Sequence, residues 1–228
     1  MMKKLLFTLC TLFYRIFSDL KIEDGLCCFS LCKMLGVSNL GQIRMGGMLN
    51  KSRVRMIGNN NKFICEANMH KCEILIEGDN NTVELGRNTF VHAFNILIKG
   101  SGCYVRVGEN NTSNGTNLRC MGVNNSITIG NDCMFSGQIE IWNTDSHFIL
   151  DSKSNKPINH SAPIFIGDHV WVGQHATILK GTAIGNNSII GMNAVVTKDV
   201  PPYSVSVGNP AKVVKSGVNW DRKQTIDF

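Results

Sequence analysis

The sequence contains no apolar run of the roughly 20 residues that a membrane-spanning helix needs, which excludes a bundle of such helices. Charged residues make up 18% and hydrophobic residues 43% of the 228 residues, values that are ordinary for a globular chain and exclude wholesale disorder. Five prolines stand against 22 glycines, and together with abundant asparagine they favour many tight turns. The net charge of +6 suits an anionic ligand without indicating a nucleic-acid partner.

The nine cysteines lack the spacing of a metal site. Cys27, Cys28 and Cys32 lie close together, but no pair is matched by a second Cys or His pair at zinc-ligand spacing. We therefore expect no bound metal. Cysteine is among the most buried residue types, so free buried thiols in a reducing cytoplasm are the favoured interpretation.

Residues 1–45 are predicted to form an N-terminal helical segment. Two lysines begin it, and apolar residues then recur at helical spacing at Leu5, Leu9, Leu12, Ile16 and Leu20. A second short helix is predicted over residues 23–35, ended by Gly36. The favoured interpretation packs the first helix on the main domain. A peripheral contact with the inner face of the membrane and a cleaved signal peptide are the alternatives.

A six-residue period is the main signal in the chain. Every sixth residue from position 166 is Ile or Val, namely Ile166, Val172, Ile178, Ile184, Ile190 and Val196. A second stretch keeps the step at Val123, Ile129, Phe135 and Ile141, and a weaker one at Leu85, Val91, Leu97 and Cys103. Six residues can form a short strand and a corner, and three such sides close a triangular coil. The aliphatic residue then points inward.

The corners of such coils need permissive residues. Glycine follows the aliphatic position repeatedly, and Gly-x-Asn-Asn groups recur, as at residues 58–61, 78–81 and 122–125. Asparagine tolerates left-handed backbone conformations, and stacked amides can hydrogen-bond between coils. These features predict an all-β solenoid over residues 46–210, followed by a C-terminal tail over residues 211–228.

The repeat is interrupted after Ile141. Residues 148–165 are polar and irregular, and the period resumes one residue out of step at Ile166. A solenoid accommodates an insertion as a loop leaving its surface, and such loops often carry function. The segment Asn143-Thr144-Asp145-Ser146-His147 precedes this loop. Histidine titrates near working pH, so His147 is a candidate general base.

Two longer segments resemble a known family. The first joins the His147 motif to Ile166-Gly167-Asp168-His169-Val170-Trp171-Val172-Gly173, and the second runs from Ile190 to Pro202 and on to Val207-Gly208-Asn209-Pro210-Ala211-Lys212. Together they resemble the hexapeptide-repeat acyltransferases, closest to the O-acetyltransferases of bacterial capsule, O-antigen and galactoside sugars. The resemblance implies a left-handed parallel β-helix, a homotrimer, and acetyl transfer from acetyl-CoA to a carbohydrate hydroxyl in the cytoplasm.

The resemblance also implies roles for individual residues. His147 matches the catalytic base, and either Asp132 or Asp145 would orient it, with Asp132 preferred because related enzymes keep an Asp partner about one coil earlier. The residues expected to contact CoA are Trp171, Gln174, Met192, Thr197, Lys198, Lys212 and Lys215. The family's small residue at position 192 is replaced by Met here, and Asn193-Ala194 replaces Gly-Ser.

Three other functions remain alternatives. An N-acetyltransferase acting on an amino sugar could use the same base. A γ-class carbonic anhydrase shares the solenoid but needs three zinc-bound histidines, for which the spacing of the histidines indicates no convincing site. A non-catalytic solenoid used for binding or assembly would leave the His147 motif and its loop unexplained.

Overall fold

The computed structural model describes residues 21–22, 25–28, 30–44 and 46–225. In these residues the chain forms short strands: β1 Lys21–Ile22, β2 Gly25–Cys28, β3 Leu31–Leu35, β4 Leu40–Ile43, β5 Gly47–Asn50, β6 Arg53–Ile57, β7 Lys62–Cys65, β8 Asn68–His70, β9 Glu73–Glu77, β10 Thr82–Leu85, β11 Phe90–Ser101, β12 Tyr104–Val107, β13 Thr112–Val123, β14 Ser126–Ile129, β15 Met134–Phe135, β16 Ile139–Trp142, β17 Ile164–Ile166, β18 Trp171–Val172, β19 Thr177–Leu179, β20 Ala183–Ile184, β21 Ile189–Ile190, β22 Val195–Val196, β23 Ser204–Val207 and β24 Lys212–Ser216.

The strands stack into a parallel solenoid with three faces. Face one contains eight strands, in the order β1, β4, β7, β10, β12, β14, β17 and β20. Face two runs through β2, β5, β8, β11, β13, β15, β18, β21 and β23, and face three through β3, β6, β9, β11, β13, β16, β19 and β22. The long strands β11 and β13 bend across the corner between faces two and three. The predicted all-β solenoid is confirmed.

The core is a column of aliphatic side chains inside the coils, as the period predicts. All six residues of the regular hexad, from Ile166 to Val196, are fully buried. Ile129, Phe135 and Ile141 are buried as well. The prediction is wrong at Val123, which is 73% exposed, and at Leu97, which points outward between the buried Ile96 and Ile98.

Coil length explains these two errors. Phe165 pairs with Ala183 in the next coil, a separation of three strict hexads, and the same spacing separates Trp171 from Ile189. Earlier in the chain, Tyr104 pairs with Ser126, and the separation there exceeds three hexads. The additional residues lie at the corners and shift the frame, so a fixed step of six loses its register there.

Glycine and asparagine build the third corner, where the chain passes from face three to face one of the next coil. Gly58, Gly78 and Gly122 adopt φ values of 119°, 119° and 112°, a region that favours glycine. The Asn81 amide donates to the carbonyl oxygen of Gly100 at 2.9 Å and to Asn61 Oδ1 at 3.0 Å. The predicted amide hydrogen bonds between coils are therefore present.

The solenoid begins earlier than the sequence predicts. The first predicted helix, over residues 1–20, lies outside the described residues. The second, over residues 23–35, is wrong, because β2 and β3 occupy that segment. Strand β3 pairs in parallel register with β6 and buries Cys32 against the core, so tertiary pairing overrides the local helical pattern.

Two excursions leave the regular coils. The predicted loop lies between β16 and β17 and is closed by a bridge between Leu150 and Pro157. At the C-terminal end, β24 pairs antiparallel with β23, and residues 217–225 return along face two. Within the described residues, no helix has the length and apolar character to span a membrane.

Candidate active site

Asn143 forms the root of the loop that carries the candidate base. It is fully buried, and its Oδ1 accepts a hydrogen bond from the backbone N–H of Met121 at 2.7 Å. Its own carbonyl oxygen accepts from the N–H of Ala162 at 3.0 Å. The two ends of the loop are thereby joined to each other and to the coil beneath, so a long insertion leaves the solenoid without disturbing it.

A tight turn presents His147. The Ser146 N–H donates to Thr144 Oγ1 at 3.0 Å, Ser146 has a φ of 65°, and the His147 N–H donates to the Asp145 carbonyl oxygen at 2.8 Å. The His147 side chain is exposed. Its ring makes no hydrogen bond to any residue in the described part of the chain, so both ring nitrogens are accessible to a substrate.

Asn159 holds the far side of the loop against this turn. Its amide nitrogen donates to Asp145 Oδ2 at 2.7 Å and to the His147 carbonyl oxygen at 2.8 Å. Its Oδ1 accepts from the N–H of Ile149 at 2.7 Å. One side chain therefore fixes the backbone on both sides of His147.

Lys180 links the loop to the next coil. Its ammonium group contacts Asp145 Oδ2 and donates to the Asn159 carbonyl oxygen, the latter at 3.2 Å. The hydrogen bond from Lys180 lowers the pKa of the Asp145 carboxyl; partial burial opposes that shift and the Asn159 amide adds to it. Asp145 is thus a carboxylate that positions the loop, and its contacts within the described chain are to Lys180 and Asn159.

Asp132 lies in a different cluster, which we call the C-terminal clasp: Asp132, His169, Trp220 and Arg222. Asp132 Oδ2 lies 2.6 Å from His169 Nδ1, and its Oδ1 accepts from Arg222 at 3.0 Å. The Trp220 ring stacks on the His169 ring with centroids 4.2 Å apart. Burial raises the pKa of Asp132, but the hydrogen bonds from His169 and Arg222 outweigh it, and the net shift is downward.

Asp132 and His147 follow strands of the same coil: Asp132 lies between β14 and β15, and His147 follows β16. The sequence prediction instead places Asp132 about one coil before His147. They occupy different corners of the triangle. No hydrogen bond joins them within the residues that the structure describes, so a pairing of these two side chains would need a second copy of the chain.

The residues predicted to contact CoA are distributed around the C-terminal coils. Gln174 and Met192 are exposed at successive coils of the corner between faces two and three, and Thr197 and Lys198 are exposed at the third corner. Trp171 is 37% exposed on face two, 6.2 Å from Trp220 between ring centroids. Lys212 and Lys215 lie on the exposed strand β24. One chain does not bring all seven together.

The described residues include no group of three or more His, Cys, Asp or Glu side chains placed to hold a metal ion. The alternative of a γ-class carbonic anhydrase needs three such ligands, all histidines, around one zinc ion. His70 instead stacks on His92, with ring centroids 5.3 Å apart, and His169 pairs with Asp132.

Sequence reasoning missed Asn159, Lys180 and the C-terminal clasp. The position of Lys180 was predictable from the period, since it precedes Lys198 by three hexads and therefore occupies the same corner one coil earlier. Asn159 lies in an irregular loop, where no period relates position to contact. Arg222 reaches Asp132 across 90 residues of sequence, a pairing that spacing does not reveal.

Comparison with known proteins identifies related repeats and folds. The family described as "Bacterial transferase hexapeptide (six repeats)" matches residues 163–198. A polysialic acid O-acetyltransferase of Escherichia coli O1:K1 is 44% identical over 103 residues, which is 45% of this chain and 34% of that protein. One from Neisseria meningitidis is 33% identical over 138 residues, which is 60% of this chain and 63% of that protein. Under two thirds of either relative is thus aligned.

Two solved structures extend the similarity over most of the chain. The polySia specific acetyltransferase NeuO matches with a TM-score of 0.71 and 29% identity, covering 92% of this chain and 91% of that one. The polysialic acid O-acetyltransferase OatWY matches with a TM-score of 0.58 and 28% identity, covering 90% and 93%. These comparisons confirm the resemblance to hexapeptide-repeat acyltransferases that the sequence predicts.

Proposed function

We propose that this chain, which carries the hexapeptide repeat of bacterial transferases, is an acetyl-CoA-dependent O-acetyltransferase of a carbohydrate hydroxyl. The observation that carries the proposal is the exposed His147 on a pinned turn at the root of the loop. The similarity to two polysialic acid O-acetyltransferases supports an acidic glycan as the acceptor. We also propose left-handed winding of the solenoid, which the resemblance to hexapeptide-repeat acyltransferases implies and with which the fold match to NeuO is consistent.

His147 would act as the general base. Acetyl-CoA supplies the activated acetyl group as a thioester. A ring nitrogen of His147 accepts the proton of the acceptor hydroxyl as that oxygen bonds to the thioester carbonyl carbon, and the proton later passes to the departing CoA sulfur. General-base assistance of this kind contributes about 10²–10⁴-fold to the rate. The pinned turn holds the ring in place, which reduces the ordering required for reaction.

A homotrimer completes the proposed site. His147 lies at the third corner, whereas Trp171 lies on face two of the same chain, so a site containing both side chains needs two neighbouring copies. For Asp132 to orient the His147 of a neighbouring copy, its carboxylate would have to be shared with His169 and Arg222, its partners in this chain. Activity is proposed to occur in the cytoplasm, which suits buried cysteines that form no disulfide, such as Cys65, Cys72 and Cys133.

The first test measures CoA release in the presence of acetyl-CoA and sialic acid oligomers. His147→Ala should lower kcat by about 10²–10⁴-fold with an unchanged circular dichroism spectrum. His160→Ala, which removes an exposed histidine from the same loop, is the matched control and should retain wild-type kcat. Near wild-type turnover by His147→Ala would remove the base assignment.

A second test addresses the shared site. Sedimentation velocity should show a trimer, and His147→Ala mixed and refolded with Trp171→Ala should regain part of the wild-type activity. Complementation is expected because some interfaces then combine an intact His147 with an intact Trp171. A monomeric protein, or a mixture without recovered activity, would contradict the shared site.

A further inference from the structure

Face three carries a groove that ends at the root of the His147 loop. The groove has a volume of 420 Å³, and its lining includes Leu75 and Leu97 on its apolar floor, with Asn117, Arg119, Glu140 and Trp142 towards the loop. It crosses strands β9, β11, β13 and β16, which at about 4.8 Å between strands is roughly 14 Å of length. Trp142 directly precedes Asn143, so the groove leads to the candidate base.

Most polar groups of this groove already have partners. Glu140 accepts a hydrogen bond from Trp142 Nε1 at 2.7 Å through one oxygen, and from the Asn117 amide at 2.7 Å through the other. The Asn95 amide donates to Asn117 Oδ1 at 3.0 Å. This network fixes the Trp142 indole and gives both Glu140 carboxylate oxygens a hydrogen-bond donor within the protein.

Arg119 is the exception. Its guanidinium lies over the Trp142 ring, 4.1 Å from the ring centroid. Within the described residues, its side chain makes no hydrogen bond or ion pair, and it is half-buried. Stacking on the ring holds the planar group in one orientation. Its N–H donors therefore remain available for an acceptor group from outside the chain.

We propose that Arg119 on Trp142 is a subsite for the carboxylate of an acidic sugar in the acceptor glycan. A guanidinium matches a carboxylate with two parallel N–H···O bonds. A guanidinium already ordered by an aromatic ring loses less conformational entropy on binding. The neighbouring apolar floor and amide edge suit the mixed surface of an extended oligosaccharide. The inference rests on the proposed function, because it assigns the groove to the acceptor of that reaction.

The decisive experiment separates charge recognition from a general effect on the fold. Binding of a sialic acid disaccharide is measured by calorimetry without acetyl-CoA, beside the same disaccharide with each carboxylate converted to a carboxamide. Arg119→Gln should weaken binding of the acid form by about 10–100-fold, because charge-assisted hydrogen bonds are lost. Binding of the carboxamide form should change by less than about 2-fold. Arg119→Lys should fall between, since it keeps the charge without the planar fork.

Arg55→Gln is the matched control. Arg55 is an exposed arginine in the same column of face three, reached from Arg119 through Leu97 and Leu75, three strands or roughly 14 Å away. The Arg55→Gln variant should bind the disaccharide as tightly as the wild type does. The KM for acetyl-CoA should also be unchanged in Arg119→Gln, because the subsite is assigned to the acceptor.

Three results would overturn the subsite. Arg119→Gln could weaken binding of the acid and carboxamide forms equally, or it could raise the KM for acetyl-CoA. It could also change the assembly state, as measured by sedimentation velocity. The last result would make face three a contact between copies of the chain. Wild-type protein that binds the acid disaccharide through Arg119 but transfers no acetyl group would refute the proposed reaction while leaving the subsite standing.

Discussion

Replacement of Asn159 with alanine should loosen the backbone around His147 without unfolding the solenoid. The side chain makes three hydrogen bonds: to Asp145, to the His147 carbonyl oxygen and from the Ile149 N–H. Asn159 is half-buried, so each bond belongs in the lower part of the usual range of about 0.5–1.5 kcal/mol. Their combined loss lowers the free energy of local opening by about 2 kcal/mol.

Amide hydrogen exchange measures this quantity directly. A loss of about 2 kcal/mol corresponds to roughly 30-fold faster exchange at Ile149, whose N–H loses its acceptor. Exchange at Ile178 in the core should not change, because that residue is fully buried in the coils. Lys156→Ala is the control, since it truncates an exposed side chain on the same loop and should leave Ile149 exchange at the wild-type rate.

The same variant connects loop order to chemistry. If His147 is the base, Asn159→Ala should lower kcat by a larger factor than it changes the KM for acetyl-CoA, because the ring loses its fixed position. Ile149 exchange at the wild-type rate in Asn159→Ala would refute the reasoning, since it would show that the three hydrogen bonds do not hold the loop.

Two further predictions concern the corner and the clasp. Gly78→Ala should lower the free energy of unfolding by more than about 2 kcal/mol in thermal denaturation, because the new Cβ would clash with the Gly100 carbonyl oxygen at a φ of 119°. Gly46→Ala has a φ of 74°, and apart from the adjacent residues no atom lies within 4 Å of its new Cβ. It should therefore cost much less, and equal costs would contradict the steric argument. The pKa of Asp132 is lowered in the folded chain, so its stabilisation of the C-terminal clasp is present above about pH 4 and is lost as pH falls through that lowered pKa. The indole NMR signal of Trp220, which donates to the His169 carbonyl oxygen at 2.8 Å, should shift in that acidic window in wild type and not in Asp132→Asn; a shift retained in Asp132→Asn would assign the transition to another group.

The regular part of the fold was predictable because its physical cause repeats. Each C-terminal coil of three hexads places the same side-chain type at the same point, so Ile166 and its five successors reveal the solenoid. The longer coils before them keep the architecture with larger corners, and there the frame misassigned Val123 and Leu97. At residues 23–35 the local pattern suggested a helix, but pairing with the next coil produces strands.

The candidate site was predictable only in its residue types. The motif around His147 and the break in the period located the loop, yet the contacts of Asp145 and Asp132 depended on Lys180 and Arg222, which come from distant segments. The Arg119 and Trp142 pair had no signal in the spacing, since the two residues meet only because β13 and β16 are in register. Parallel register between coils is a property of the assembled fold.

Strand β24 has a consequence for how the solenoid ends. A stack of parallel strands leaves unpaired backbone groups at its last coil, and an open edge of this kind can template end-to-end growth into filaments. Strand β24 covers the last strand of face two in the opposite direction, and its exposed Lys212 and Lys215 place positive charge along the new edge. A second molecule approaching that end would meet a reversed strand with exposed lysines instead of an open parallel edge. The C-terminal segment therefore also serves as a terminator of β-sheet polymerisation at this face.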